Sequence, residues 1–241
     1  MNNLTSPLLV NRLSPDFKKR VESRISTALS AVTSIPFPKA VIWGGGWKYG
    51  EITVSEGKIL SDIDLFVVSN WLPFYWRRLK KLEENLNKTN TLPVHFQGVI
   101  PWMLNHSRTL WAYRLKTDGV ILCGQPEVLE RIRATADNIP QVEAVRTLFQ
   151  SVVSRVLLFK ARKYDRDQEP HQAARTYLTI GEVYLMFFGR LTPSYTARRK
   201  AIGELAHEIG IDPELLRKIQ VGYEVKMNFV ALKQQNDLNI N

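Results

Sequence analysis

The chain has 241 residues, 44% of them apolar and 23% charged, with 33 basic against 23 acidic side chains for a net charge of +10. That apolar share excludes wholesale disorder, and the length allows one large domain or two small ones. A single cysteine, Cys123, excludes an internal disulfide framework and a cysteine-built zinc site. The longest apolar runs, such as Leu65-Phe66-Val67-Val68, are far too short to span a bilayer. Met1 to Leu13 carries no secretory pattern, so a soluble, cytoplasmic protein is expected. The basic excess favours polyanionic partners without identifying them.

Ser14-Pro15-Asp16 reads as a helix start, and Phe17, Val21, Ile25, Leu29 and Val32 recur at helical spacing up to Pro36. Ala40 to Trp43 is a short apolar strand that stops at Gly44-Gly45-Gly46. Glu51 to Leu60 reads as a small hairpin, and Ile63 to Val68 as a second strand. Pro73 opens a helix with Trp76, Leu79, Leu82 and Leu86 on one face. Pro93 to Ile100 is a third strand, Val120 to Cys123 a fourth, and Pro126 starts another helix. Asp137-Asn138-Ile139-Pro140 reads as a linker. Beyond it lie helical patterns only, over 142–163, 171–188, 193–209 and 213–232. The expected plan is a mixed α/β domain over 1–136 and a helical domain over 137–241. Most of the charge excess falls on the first, with 18 basic and 11 acidic residues.

Ser61-Asp62-Ile63-Asp64-Leu65 is the most informative segment. Residues two apart in a strand face the same way, so Asp62 and Asp64 project together. Neighbouring carboxylates repel unless a cation neutralises them, and a hard ion such as Mg²⁺ takes oxygen ligands. Alone, the pair reads first as two solvated acids on an edge strand. The upstream glycines also have a plain reading, as a strand-to-turn cluster, beside their capacity to let backbone N–H groups approach a phosphate. Together they set a phosphate cradle beside a metal seat, an arrangement suited to transfer of a phosphorus group from a nucleotide.

Trp43-Gly44-Gly45-Gly46-Trp47-Lys48-Tyr49-Gly50-Glu51 through Ser61-Asp62-Ile63-Asp64-Leu65 resembles the signature of the DNA polymerase β-like nucleotidyltransferase superfamily. Thr117 to Gly124 is similar to a closing strand of many small members. The helices with Tyr184, Gly189, Pro193-Ser194-Tyr195 and Arg198 resemble the C-terminal region of the aminoglycoside nucleotidyltransferase type. The resemblance implies a nucleotidyltransferase-like mixed sheet flanked by helices, followed by an all-helical domain, with the site in a cleft between them. It implies transfer of a nucleoside monophosphate from an NTP to an acceptor hydroxyl by a two-metal mechanism with Mg²⁺. The acceptor class stays open between a small molecule, a protein and RNA, as does the oligomeric state. Asp62 and Asp64 match the first two metal-binding acids, Gly45 and Gly46 the phosphate-loop pair, and Ser61 the residue that braces the loop. Lys48 is a further candidate phosphate contact, and Arg175 one from the helical half, against a solvated helix face.

One departure from the family matters. Members carry a third carboxylate on the neighbouring strand, where this chain has Val94-His95-Phe96-Gln97-Gly98. Either His95 (or Gln97) takes that place, or Glu51, Glu56 or Asp118 serves, or the protein no longer transfers nucleotides and binds nucleotide, RNA or a protein partner instead. Glu182, isolated in an apolar stretch, reads as a polar position on an exposed stripe before it reads as a general base. Arg198-Arg199-Lys200 reads as a solvated helix face. Trp47 beside the glycines is a candidate base-stacking residue, against core packing. Arg166 and His171 stand at a spacing known from HEPN-type RNases, but the intervening Asp165, Asp167 and Pro170 read as a loop.

Overall fold

The computed structural model of the chain describes residues 15–35, 38–49, 51, 54–55, 58–59, 62–88, 92–160 and 169–227. They fall into two compact units. One comprises the chain up to Gly50 together with Ile59–Ala134, and the other comprises Glu51–Lys58 together with the chain from Thr135 onward. No helix among the described residues is long and apolar enough to cross a membrane.

The first unit is built on a four-stranded mixed sheet. Its strands are β1 (Ala40–Trp43), β4 (Ile63–Val68), β5 (Val94–Val99) and β6 (Val120–Gly124), in the order β5-β4-β1-β6. β1 runs antiparallel to both β4 and β6, while β4 and β5 are parallel. A parallel pair needs a crossover, and α2 (Leu72–Asn87) supplies it. β1 is buried at every position, and β4 at every position but Asp64. β2 (Val54–Ser55) and β3 (Lys58–Ile59) pair in a separate two-stranded sheet, as the hairpin reading expects. α1 (Pro15–Thr33) buries Val21, Ile25 and Val32 of the expected face, with Ala28 buried beside a half-buried Leu29.

Two helices join the sequence reading here. α3 (Pro101–His106) and α4 (Leu110–Asp118) fill the stretch between β5 and β6. Thr109 caps α4 by accepting the Ala112 N–H, and the Trp111 ring meets Phe66 of β4 at a tilt of 53° with centroids 5.7 Å apart. α5 (Glu127–Glu130) follows Pro126. On α2 only Leu79 of the expected apolar face is buried. Trp76 lies 41% exposed, with the Lys80 ammonium 5.1 Å from its ring.

β5 is an edge strand, and its outward backbone groups are met by side chains of α2. The Asn87 amide donates to the Val94 carbonyl at 2.8 Å and accepts the Val94 N–H at 2.9 Å. Glu83 accepts the Phe96 N–H at 2.6 Å, and Lys80 reaches the Phe96 carbonyl at 3.4 Å. Residues 80, 83 and 87 recur at helical spacing, so one face of α2 does what a neighbouring strand would do. Arg24 of α1 binds Asn87 Oδ1 and the carbonyls of Leu86 and Leu92.

The second unit contains α6 (Gln141–Lys160), α7 (Glu169–Phe187), α8 (Tyr195–Ile209) and α9 (Pro213–Lys226), with α7 packed against the other three. Asp212 caps α9 and Ser194 caps α8 through their side-chain oxygens. Glu182 and Arg198 correct the sequence reading. Neither lies on an exposed face: they are 2% and 1% exposed and form an ion pair at 3.0 Å. Arg198 also donates from Nε to the Thr192 carbonyl at 2.8 Å. A charge this deep is tolerated because its partner and a carbonyl replace water. Glu182 is therefore engaged by the core of its unit. The stretch holding Pro170 and His171 is helical backbone within α7, not a loop, while Arg166 lies outside the described residues.

Candidate active site

β4 carries the acid pair. Asp62 directly precedes the strand and Asp64 is its second residue, so both leave the same face. In the parallel register Asp64 stands opposite His95, and Phe66 opposite Gln97. The two β5 side chains lean back by one step. His95 Nε2 is 3.4 Å from Asp62 Oδ2, and Gln97 Nε2 is 3.4 Å from Asp64 Oδ1. These are long contacts at a part-open surface: the side chains of Asp62 and His95 are 47% and 42% exposed.

Behind His95 stands Glu83, which the sequence reading did not select. Its carboxylate is 3.4 Å from His95 Nδ1, and its side chain is only 14% exposed. Burial pushes the Glu83 carboxyl up, but the Phe96 N–H, then the Lys80 ammonium and His95, pull it down, and the net position is below the ordinary value. An ionised Glu83 thus faces one ring nitrogen and Asp62 the other. His95 is held between two carboxylates from two different elements. Helical spacing puts Glu83 four residues after Leu79 and seven after Trp76, so an acid interrupting the expected apolar face of α2 is the signal that could have found it.

The glycine turn follows β1. The Gly44 N–H donates to the Asp64 carbonyl at 2.9 Å, which sets the turn beside the second acid. Gly44 is required by packing, since a Cβ there would lie 2.4 Å from the Phe66 ring. Gly45 is required by conformation, with φ of +84°. Gly46 opens a single 3-10 turn, Gly46–Tyr49. Two of the three glycines thus have a backbone reason independent of any ligand. Lys48, in that turn, donates to the Thr117 carbonyl at 2.7 Å, which the Tyr49 hydroxyl also reaches at 3.2 Å.

The remaining candidates separate. Ser61 and Glu56 lie outside the described residues, as does the side chain of Trp47. Arg175 is exposed on α7 of the second unit. Asp118 is 5% exposed and accepts the Thr117 hydroxyl at 2.7 Å. Glu51 is 3% exposed and belongs to the helical unit. Its carboxylate accepts the N–H groups of Tyr195 at 2.7 Å and Thr196 at 2.9 Å, and the Thr196 hydroxyl at 2.8 Å. An anion at the first turn of α8 satisfies orphan N–H groups and the helix dipole. Glu51 is spent there, and does not stand in for the missing carboxylate.

The donor set bears on the metal the resemblance implies. Among the described residues no group of three or more His, Cys, Asp or Glu side chains is arranged to hold a metal ion. Asp62 and Asp64 alone supply carboxylate oxygens from one strand face. Mg²⁺ takes one or two protein carboxylates and completes its shell with phosphate oxygens and water. The pair fits an ion shared with a triphosphate, not a closed protein cage.

No family model matches the chain, and neither does any curated protein sequence. Among solved structures the chain is similar to a spectinomycin adenyltransferase, AAD(9), from Enterococcus faecialis, determined with ATP and spectinomycin. The likeness has a TM-score of 0.51 at 12% identity and covers 89% of this chain and 95% of that one. At that identity it speaks for the fold: a nucleotidyltransferase-like mixed sheet flanked by helices, followed by a helical region.

Proposed function

We propose that the chain transfers a nucleoside monophosphate from an NTP to an acceptor hydroxyl. The observation that carries this reading is the placement of Asp62 and Asp64 on one face at the start of β4, with the Gly44 N–H bonded to the backbone carbonyl of Asp64. The structural neighbour was solved with ATP and a small-molecule acceptor, which supports an NTP as the donor here. In this reading Asp62 and Asp64 hold Mg²⁺, which when bound offsets the charge of the triphosphate and of the leaving pyrophosphate. The backbone of Gly45 and Gly46 and the Lys48 ammonium lie against the phosphates. His95 is the third catalytic group. Glu83 faces its Nδ1 and Asp62 its Nε2; with Asp62 engaged by a cation, Nε2 would be released to take the proton of the acceptor hydroxyl. The acceptor oxygen bonds to the α-phosphorus as the bond to pyrophosphate breaks.

A second reading rests on one observation. The β5 positions beside the acid pair hold His95 and Gln97, neither of them a carboxylate. A protein that binds nucleotide, RNA or a partner without turnover also fits that surface. Incubation with α-labelled NTPs, Mg²⁺ and three acceptor classes (hydroxylated small molecules, tRNA and protein) separates the two. Label moved to an acceptor with pyrophosphate release, and abolished by Asp64→Asn, is the expected result. NTP binding that depends on Mg²⁺, with no transfer to any class, would establish the second reading.

A further inference from the structure

The two units expose different kinds of apolar side chain. Among the described residues, the large hydrophobics exposed on the helical unit are mostly aliphatic. On the sheet unit four of five are aromatic, and all five lie within 71–76 and 102–103. These two segments leave the sheet at the same end. Val68 of β4 stands opposite Val99 of β5, and the Ser69 N–H donates to the Val99 carbonyl at 3.0 Å. Trp71 and Trp102 each follow that last pair by three residues. Trp71 is 53% exposed, Phe74 76% and Trp102 67%. The Trp71 and Phe74 rings lie 5.8 Å apart between centroids, tilted by 49°. Cations continue the same face. Residues 71, 74, 78 and 81 fall on one helical stripe, so Arg78 and Lys81 extend what Trp71 and Phe74 begin, with Arg77 at the flank. All three cations are exposed, and among the described residues no carboxylate pairs with them; Arg78 reaches only the Ser34 carbonyl, at 3.5 Å. Neither Ser69–Leu82 nor Ile100–Thr117 contains an Asp or Glu.

We infer that this face binds single-stranded nucleic acid. Bases stack on Trp71, Phe74 and Trp102, and phosphates lie on Arg77, Arg78 and Lys81. Rings alone would seat many apolar partners, and cations alone many anions. A strand with unstacked bases offers both at every step, a planar apolar face and a phosphate. A duplex hides its base faces and leaves the rings without a partner. Trp and Phe also anchor helices to bilayers, but such a helix buries a whole apolar face. The outward face of α2 turns cationic one turn after Phe74. Guanidinium groups at 77 and 78 suit phosphate oxygens, which they can meet with two parallel hydrogen bonds. The inference stands apart from the transfer reading. Asp62 lies at the other end of β4, six residues before Val68, or about 20 Å at roughly 3.3 Å per residue.

Fluorescence anisotropy of the full chain with labelled oligouridylate and oligothymidylate of about twelve nucleotides tests this. A duplex of the same length and vesicles of phosphatidylcholine with phosphatidylserine are the comparison ligands. Both strands should bind alike, since the face reads base and phosphate, and more tightly than the duplex. Trp71→Ala/Phe74→Ala should weaken strand binding by roughly tenfold or more. Trp71→Leu/Phe74→Leu keeps apolar bulk without rings. It should weaken binding as much, and it serves if the alanine pair fails to fold. Arg77→Gln/Arg78→Gln should flatten the slope of log affinity against log salt by about 1.4, at roughly 0.7 per phosphate contact. Lys200→Gln/Arg217→Gln removes the same charge from exposed positions of the helical unit and should leave that slope unchanged. Undetectable strand binding, a duplex bound as tightly as the strands, or vesicles bound in place of them would overturn the inference. So would folded leucine variants that bind like wild type, or equal slope changes from both charge pairs.

Discussion

Asn87 binds Val94 on both sides of its backbone, accepting the N–H at 2.9 Å and donating to the carbonyl at 2.8 Å. One side-chain amide thereby replaces a strand at the open edge of the sheet. Asn87→Leu, similar in size, should leave both groups unpaired and also remove an acceptor from Arg24. The expected loss is about 1–3 kcal/mol, read as a lower denaturant midpoint with unchanged slope. Asn87→Asp, which keeps the acceptor and loses the donor, should fall between. Light scattering on heating should rise for Asn87→Leu, because an uncapped edge pairs with other chains.

The acid pair gives a prediction of opposite sign for stability and for binding. Asp62→Asn and Asp64→Asn each remove a negative charge from a face that carries two. The melting temperature without ligand should hold or rise. NTP binding in the presence of Mg²⁺, followed by calorimetry, should weaken by on the order of tenfold or more. Binding that is indifferent to Mg²⁺ and to both substitutions would remove the metal seat.

His95 decides between the two functional readings. His95→Asp sets a third carboxylate next to Asp62 and Glu83, which lie 3.4 Å from the imidazole nitrogens. That variant should melt lower without ligand, by charge repulsion, and recover with Mg²⁺ and NTP. In the catalytic reading it keeps or raises transfer, because it restores the three acids that members of the resembled superfamily carry, while His95→Ala loses most of it. If His95 is a strand residue without a catalytic part, the Ala variant is mild in every assay and the Asp variant is not rescued.

Glu83 carries a pH dependence whose sign is fixed by its surroundings. Its folded-state pKa lies below the ordinary 4.5: burial raises it, but the Phe96 N–H, Lys80 and His95 lower it further. A depressed carboxyl contributes stability that is fully present above about pH 4.5 and is lost as pH falls through the lower folded value. Glu83→Gln should remove that contribution. The difference in unfolding free energy between wild type and variant should be constant at neutral pH and shrink in acid below pH 4.5. A difference that grows on acidification would contradict the assignment.

The strands and the long helices were legible because each has a local pattern. β4 runs over the residues its apolar run predicts, and α1, α6, α7 and α9 follow apolar periodicity. α3 and α4 were not legible, for different reasons. α3 has six residues, too few for a face to repeat. α4 buries Leu110, Ala112, Tyr113 and Leu115, most of its circumference, so no polar stripe marks it as a helix. At the candidate site, the positions of Asp62, Asp64 and the glycines could be read from spacing. Glu83 interrupts the apolar face of α2, but what it binds depends on β5 being an edge strand, and no local pattern states strand order. Glu182 and Arg198 were misread because each finds its counter-charge on another helix, sixteen residues away. A buried ion pair looks the same in sequence as two surface charges.

Glu51 has a consequence for how this chain can be dismantled. The helical unit is not a tail that can be cut off or exchanged at one point, since it owns Glu51–Lys58 as well as everything from Thr135 onward. The carboxylate that satisfies the first turn of α8 arrives from the stretch between the glycine turn and the acid pair. A chimera joined after residue 136 would bring α8 without its anion and leave Glu51 behind with its acceptor oxygens unmatched. Grafting the helices onto another protein therefore requires two transplanted segments, and the shorter one runs between the two halves of the proposed nucleotide site.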